Sequence, residues 1–385
     1  MNYYVCSHCL KDKFLIKYAE ENASSGQQCF ICKSTGREVI NVENDSFQNL
    51  FKAVIRYHYA EYHYNPHFGG YDSVEQIFCD ENPILNHRFQ NEWDSDELFS
   101  VLPNEHNSDP EKGVSIFYGY LDEVRWMFST NLQDHQSTII NKFEKRMQSE
   151  NYFLIEKDVL SLLKSNEEFI KRNIIKGTHY YRARIGLDKT YYNKTNFDYS
   201  GMQYFYKPFT NEAISAPPPP LSSSGRLNRQ GVSYLYLSLD INTAISEVRP
   251  HPGHLISVGK FALTRDVIVA DLCDIDLRLF CTDDMLEIFV ALNDIAKKFA
   301  MPIVPEDRNR YQITQLFAEV FRKLKFDGIL FKSSVTGSEN LVLFDPSLGE
   351  YCIEESEVYS CEKVGYDLKT INKGILFKQD DYEEC

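Results

Sequence analysis

The 385-residue chain reads as an α+β protein, and three observations predict that class. Two C-x-x-C pairs open the chain, and a long stretch of helical periodicity follows. From Gly177 onward short β-rich runs alternate with glycine, proline and a few further helices. The length exceeds what one hydrophobic core usually serves, roughly 250–300 residues. A small cysteine module over 1–40, an all-helical unit over 41–175 and a mixed, curved sheet over 176–385 are therefore expected.

In the first unit, Cys6-Ser-His-Cys9 and Cys29-Phe-Ile-Cys32 are separated by 19 residues. That is the spacing of a four-thiolate zinc site, in which each pair forms a tight knuckle aiming both sulfurs inward. Cys6, Cys9, Cys29 and Cys32 are the expected ligands, and Gly26 turns the chain ahead of the second pair. Four thiolates leave no open position for water, so this zinc would be structural. The other six cysteines are scattered, and the start of the chain lacks the pattern of a secretory signal, so no disulfide framework is expected.

A helix should begin at Asp45, with Asp45 or Ser46 as its cap. Phe47, Leu50, Phe51, Val54 and Ile55 would share one face, and the helix would end near Asn65-Pro66. Shorter helical pieces are expected at 73–78 and 95–102, and longer ones over 114–147 and 151–172. His58 and His63 are five apart, off the shared face a metal pair needs, and read as ordinary helix residues. This unit carries 12 basic and 23 acidic residues, against 5 and 4 in 1–40 and 24 and 29 in 176–385. The net charge of -15 excludes a surface that tracks a nucleic-acid backbone, while leaving room for a small anion held by a few arginines. No apolar run approaches the ~18 residues of a membrane helix, and a cytoplasmic location is expected.

At the boundary, Arg172 and His179 fit the loose Arg-x(4–6)-His pattern of helical ribonucleases. Gly177 and the Thr-His-Tyr-Tyr run put the helix end before His179, which argues against that pairing. Beyond it, strands are expected at 178–185, 234–239, 255–263, 267–272, 328–331 and 341–344, with helices at 242–248, 285–299 and 308–325.

Four local patterns could carry chemistry. Arg182 and Arg184 occupy alternate positions of one strand, so both point to one face, where they would meet either anions or surface acids. Ser224-Gly225-Arg226-Leu227-Asn228 ahead of Gly231 can bring a guanidinium, an amide and backbone N–H groups onto one phosphate or ribose. Glu247 lies on the apolar stretch Thr243–Val248, where a carboxylate is unexpected unless it pairs with an arginine such as Arg182 or does chemistry. Finally, Phe326–Phe331 runs into Ser333 and Ser334, and Gly337-Ser-Glu-Asn340 precedes another apolar strand. No Ser–His–Asp order and no G-x-G-x-x-G is present, so neither a hydrolase triad nor a hydride-carrier site is supported.

In order and spacing, these stations resemble the RES domain. They are Tyr181-Arg182-Ala-Arg, Ala216-Pro-Pro-Pro with Gly225-Arg226-x-Asn228, Leu235-Tyr236-Leu-Ser, and Ala244-x-x-Glu247-Val-Arg. Tyr311-x-x-Thr314-Gln315 and Asp327-Gly-Ile with Ser333-Ser334 and Asn340-Leu-Val-Leu complete the set. The resemblance covers about residues 177–350. It implies a fold related to ADP-ribosyltransferases and an activity that consumes NAD as substrate, by phosphorolysis with inorganic phosphate or by hydrolysis. It assigns Arg182, Glu247 and Ser333 to catalysis, with Ser334 an adjacent alternative for the serine. Arg184, Arg226, Asn228, Tyr236, Ser334 and Asn340 are the expected substrate-binding positions. The cysteine-plus-helices half is similar to the N-terminal domain fused to some RES domains and classed near HEPN domains. A toxin or phage-defence role follows from the resemblance, with an antitoxin, sensor or phage-derived trigger as partner and self-assembly allowed. Transfer of ADP-ribose to a macromolecule and a nucleotide-binding zinc-knuckle adaptor are the competing readings.

Overall fold

The computed structural model describes residues 3–60, 63, 77–78, 81–86, 130–192, 204–301 and 311–365. Strand β1 (Tyr4–Cys6) pairs antiparallel with β2 (Val39–Asn41), tying the chain before the first knuckle to the chain after the second. Between them lies α1 (Lys13–Asn22). Asp12 caps it by accepting from the Phe14 and Leu15 N–H groups at 2.8 and 3.1 Å.

Helix α2 (Asp45–His58) is capped by Asn44, whose side-chain oxygen accepts from Ser46 N at 2.9 Å and Phe47 N at 3.4 Å. The expected cap was Asp45 or Ser46, but those residues already lie in the first turn. The helix also stops at His58 rather than near Asn65, because Tyr59 is extended. Its end is tied back to the start of α1 by His58 Nε2 and Asp12 Oδ2, 2.9 Å apart. His63 lies outside the helix, its ring within 3.1 Å of Ala60 N.

Helices α3 (Thr138–Met147) and α4 (Tyr152–Ser165) are capped by Ser137 and Asn151. The helix expected over 114–147 is therefore helical only from 138 among its described residues. The pieces at 73–78 (apart from Ile77 and Phe78) and 95–102 lie outside the described residues. The helix expected over 151–172 ends early. Asn166 donates back to Leu162 O at 2.8 Å, a short 3-10 turn follows, and Lys171–Ile174 forms strand β3. Helical periodicity gave way here to edge pairing with a strand about 100 residues later.

The remaining elements are β4 (His179–Ile185), β5 (Lys189–Tyr192), β6 (Tyr204–Lys207), β7 (Leu235–Ser238) and α5 (Ile241–Glu247). After them come β8 (Leu255–Leu263), β9 (Val267–Asp271), α6 (Asp283–Ala300), α7 (Tyr311–Lys323), β10 (Gly328–Lys332), β11 (Glu339–Leu343) and β12 (Gly349–Ser360). Eight strands form one mixed sheet in the order β12-β8-β4-β7-β11-β10-β9-β3, and β5 and β6 form a separate ribbon. Within this sheet, among the described residues, only β9 and β10 run parallel. Strand β4 pairs with β8 along its whole length but meets β7 at Tyr181↔Ser238 alone, so the sheet opens there.

One apolar cluster runs through all three segments that composition separates, from Cys6 and Phe51 through Val159 to Phe289, Phe317 and Phe331. A second packs Tyr180, Leu235, Phe261, Val269 and Leu341 together. Ion pairs follow the same junctions. Lys13 meets Asp274 at 2.6 Å, Arg278 meets Glu21 at 2.6 Å, and Lys323 meets Glu156 at 2.7 Å. Among the described residues no helix is long and apolar enough to cross a membrane.

Candidate active site

A cavity of about 340 Å³ opens where β4 and β7 part. Arg182 reaches it from β4, Tyr236 and Ser238 from β7, and Asn340 from β11. Glu247 and Arg249 enter from the end of α5, with Arg226 and Tyr311 also on its wall.

The geometry of Glu247 starts with how α5 is held. Asp240 caps the helix by accepting from Thr243 N at 2.8 Å, and its second oxygen accepts from Ser338 Oγ at 2.7 Å. Burial opposes the charge on Asp240, yet the Thr243 N–H and these hydroxyls hold its carboxyl below the usual range. At the other end, Glu247 Oε1 accepts from Ser333 Oγ at 2.7 Å and from Asn340 Nδ2 at 2.6 Å. Asn340 Oδ1 in turn accepts from Ser238 Oγ at 2.7 Å, which fixes the amide with its donor toward the carboxylate. Glu247 forms no ion pair with Arg182. The structural pairing considered from sequence is replaced by two neutral donors on one oxygen, which leave the other oxygen for the cavity.

The serine alternatives separate. Ser333 donates to Glu247 and accepts from Val335 N and Thr336 N at 3.2 and 3.3 Å. It stands behind the carboxylate and does not line the cavity. The hydroxyl of Ser334 is buried without a hydrogen-bond partner and takes no part in this cluster.

Arg182 spans the opened seam. Its Nε donates to Ile214 O at 2.9 Å and Nη1 to Tyr236 O at 3.0 Å. Burial, unrelieved by a carboxylate, holds the guanidinium below its ordinary pKa. Arg184, expected beside it, does not line the cavity. It donates to Ala213 O at 2.5 Å and lies 4.4 Å over the Phe209 ring, which braces the loop that Arg182 also grips.

Arg226 lines the cavity, bonded to Phe299 O and 5.9 Å above the Phe331 ring. Asn228 does not reach it. Its Nδ2 donates to Ser223 O and Val232 O at 2.9 Å, and its Oδ1 accepts from Tyr236 OH at 2.7 Å. The amide is a staple for the loop, with no donor left for a substrate. Tyr236 lines the cavity, while burial raises its phenol above the ordinary range. The Thr314-Gln315 station holds the same loop, through Thr314 Oγ1 to Arg226 O at 2.6 Å and Gln315 Nε2 to Gly225 O at 2.8 Å.

Gly225 is required by a close approach. A Cβ there would lie 2.6 Å from Asn228 Oδ1 and 3.1 Å from Tyr236 OH. Gly225→Ala is expected to destabilise the protein by about 1–3 kcal/mol in urea unfolding, because the buried Tyr236–Asn228 bond must give way. An unchanged midpoint would show that the loop shifts freely.

Arg172 and His179 do not form a site. Arg172 lies 3.1 Å from Asp271 and 3.5 Å from Glu339, and His179 is exposed at the start of β4. Sequence reasoning placed Tyr311, Ser238 and Arg249 within the stations that resemble the RES domain but did not count them among the site residues. For Ser238 the register Ser238↔Asn340 shows why, since the partner lies 102 residues away.

The four knuckle cysteines do converge. Cys6 Sγ is 3.6 Å from Cys9 Sγ and 3.7 Å from Cys32 Sγ, Cys9 Sγ is 3.7 Å from Cys29 Sγ, and all four lie within 4.8 Å of one another. A tetrahedral ion with Zn–S bonds of ~2.3 Å would space its sulfurs by ~3.8 Å. Cys6 N also donates to Cys29 Sγ at 3.4 Å, and Arg37 lies 3.9 Å from Cys6 Sγ, contacts that suit thiolates. The set could hold a metal ion.

Residues 197–361 match the family model of the RES domain. The match begins after Arg182 and Arg184, whose strand lies within the same sheet. Among solved structures, a chain of the MbcT–MbcA toxin–antitoxin complex of M. tuberculosis is 12% identical, with 52% of this chain and 92% of that chain covered and a TM-score of 0.28. A likeness this slight carries no argument. No curated protein matches the chain.

Proposed function

We propose, from the premise that this chain carries a RES domain, that it is an enzyme which degrades NAD by cleaving the nicotinamide–ribose bond. The observation that carries the reading is Glu247, a carboxylate held by two neutral donors in a cavity that also presents three arginines. Nicotinamide leaves the ribose as a neutral molecule, so the departing ring needs no general acid. What the reaction needs is negative charge beside an oxocarbenium-like carbon, and the free oxygen of Glu247 supplies it. Arg182 and Arg226 supply positive charge for the pyrophosphate, and the Tyr236 ring offers a stacking face for nicotinamide. Ser333 acts through Glu247 as a positioning residue. Water or inorganic phosphate then attacks the ribose carbon.

Incubating the full chain with NAD, with and without phosphate, tests this. ADP-ribose or ADP-ribose 1″-phosphate with released nicotinamide supports it. A modified macromolecule would point to ADP-ribosyl transfer, and no product would point to a nucleotide-binding adaptor. The biological role we infer is a bacterial toxin or phage-defence effector that depletes NAD, restrained by an antitoxin or sensor. Expression should then arrest growth as cellular NAD falls.

For the cysteine cluster the assignment is structural zinc. Metal analysis is expected to find about one zinc per chain, and chelation should lower the melting temperature. Protein that is metal-free yet melts unchanged would overturn the assignment.

A further inference from the structure

The three guanidinium groups on the cavity wall are not held alike. Arg182 is anchored to Ile214 O and Tyr236 O, and Arg226 to Phe299 O. The side chain of Arg249 makes no hydrogen bond or ion pair among the described residues, although it lines the same cavity and is exposed at its mouth. Against these three cations the wall sets one carboxylate, Glu247, so the cavity favours an anion with more than one charge.

The backbone at Arg249 adds a second observation. Its φ is +48°, in the left-handed region, and its N–H closes the turn after α5 on Ser246 O at 3.0 Å. Helices often end in this conformation, but glycine or asparagine usually occupies it, because a Cβ crowds the following carbonyl. Pro250 follows and narrows the choice further. Lys33, Asn211 and Lys325 also hold positive φ, but of these four residues only Arg249 lines the cavity, where its conformation aims a charged side chain rather than the usual glycine.

We propose that Arg249 is the clasp for a phosphoryl group at the mouth of the cavity. This rests on the cavity being the NAD site, where that group belongs to the pyrophosphate. Inorganic phosphate offers the same oxygens. Arg182 and Arg226, with donors already on carbonyls, provide a fixed positive field. Arg249, with all its donors available, closes on the bound anion.

The test compares the parent chain with Arg249→Gly and Arg249→Asn, both of which tolerate positive φ without a charge. Melting temperature is measured alongside affinity for ADP-ribose and for inorganic phosphate. The expected result is a melting temperature no lower than the parent's, with ADP-ribose affinity reduced about tenfold or more. Loss of affinity for inorganic phosphate alone would keep the clasp and assign it to the free anion. Unchanged affinity for both anions in either variant that melts like the parent overturns the proposal, as does a parent that binds neither at millimolar concentration. A parent that consumes no NAD but binds ADP-ribose through Arg249 would sink the enzymatic reading and leave the clasp standing.

Discussion

Glu247→Gln should lower NAD turnover about 10²–10³-fold, with a melting temperature close to the parent's. Glutamine keeps an oxygen where Oε1 accepts from Ser333 and Asn340, so the buried donors stay satisfied. What disappears is the negative charge on the side facing the cavity. Because that charge matters most when the ribose carbon becomes cationic, kcat should fall far more than NAD affinity. Glu247→Ala makes a useful contrast. It strands the Ser333 hydroxyl and the Asn340 amide, both buried, and should also cost about 1–3 kcal/mol of stability. Near-parent turnover in the glutamine variant would remove Glu247 from the chemistry.

Starting the chain at Lys176 is expected to abolish soluble folding, the largest effect of any change considered. The change of texture near residue 176 sets 176–385 apart as a unit, but the packing ties it to the helices before it. Phe289 of α6 is 1% exposed and contacts Tyr57 of α2 with ring centroids 6.1 Å apart, and Phe280 is fully buried against Phe169 at 4.7 Å. Helix α4 packs on α7 and α3 on α6, and β3 shields the edge of β9. Exposing each buried aromatic costs about 1.5–3 kcal/mol, and several such losses are comparable with the roughly 5–15 kcal/mol that holds a typical domain together. A truncated chain that is soluble, melts cooperatively and consumes NAD would show that the shared core is dispensable.

The sequence carried the site unevenly, for physical reasons. Glu247 was conspicuous because a carboxylate on a short apolar helix needs an explanation, and the paired thiols were conspicuous because knuckle spacing is local geometry. Most buried strands were legible from their apolar runs. Strands β3 and β12 were not, since Lys171–Ile174 and Gly349–Ser360 are edge strands with mixed polar faces and no continuous apolar run. Asn228 and Arg184 were read as ligand contacts because the sequence shows donors but not the carbonyls that already occupy them. Arg249 entered only as the end of the Glu247 station and received no role, since a left-handed φ on a residue other than glycine leaves no mark in composition. The boundary near 175 followed the change of texture, whereas apolar contacts cross it freely.

Eight strands share one hydrogen-bonding order, but their pairing divides them into two plates. The plate β12-β8-β4 meets the plate β7-β11-β10-β9-β3 through one register pair, Tyr181↔Ser238, and the bond from Arg182 to Tyr236 O. Arg182 stands on the first plate, while Tyr236 and Asn340 stand on the second. A molecule gripped from both sides therefore acts as a rivet across an expansion joint. Filling the cavity is then expected to raise the melting temperature along with holding the ligand, since the bound state joins strands that the backbone leaves apart.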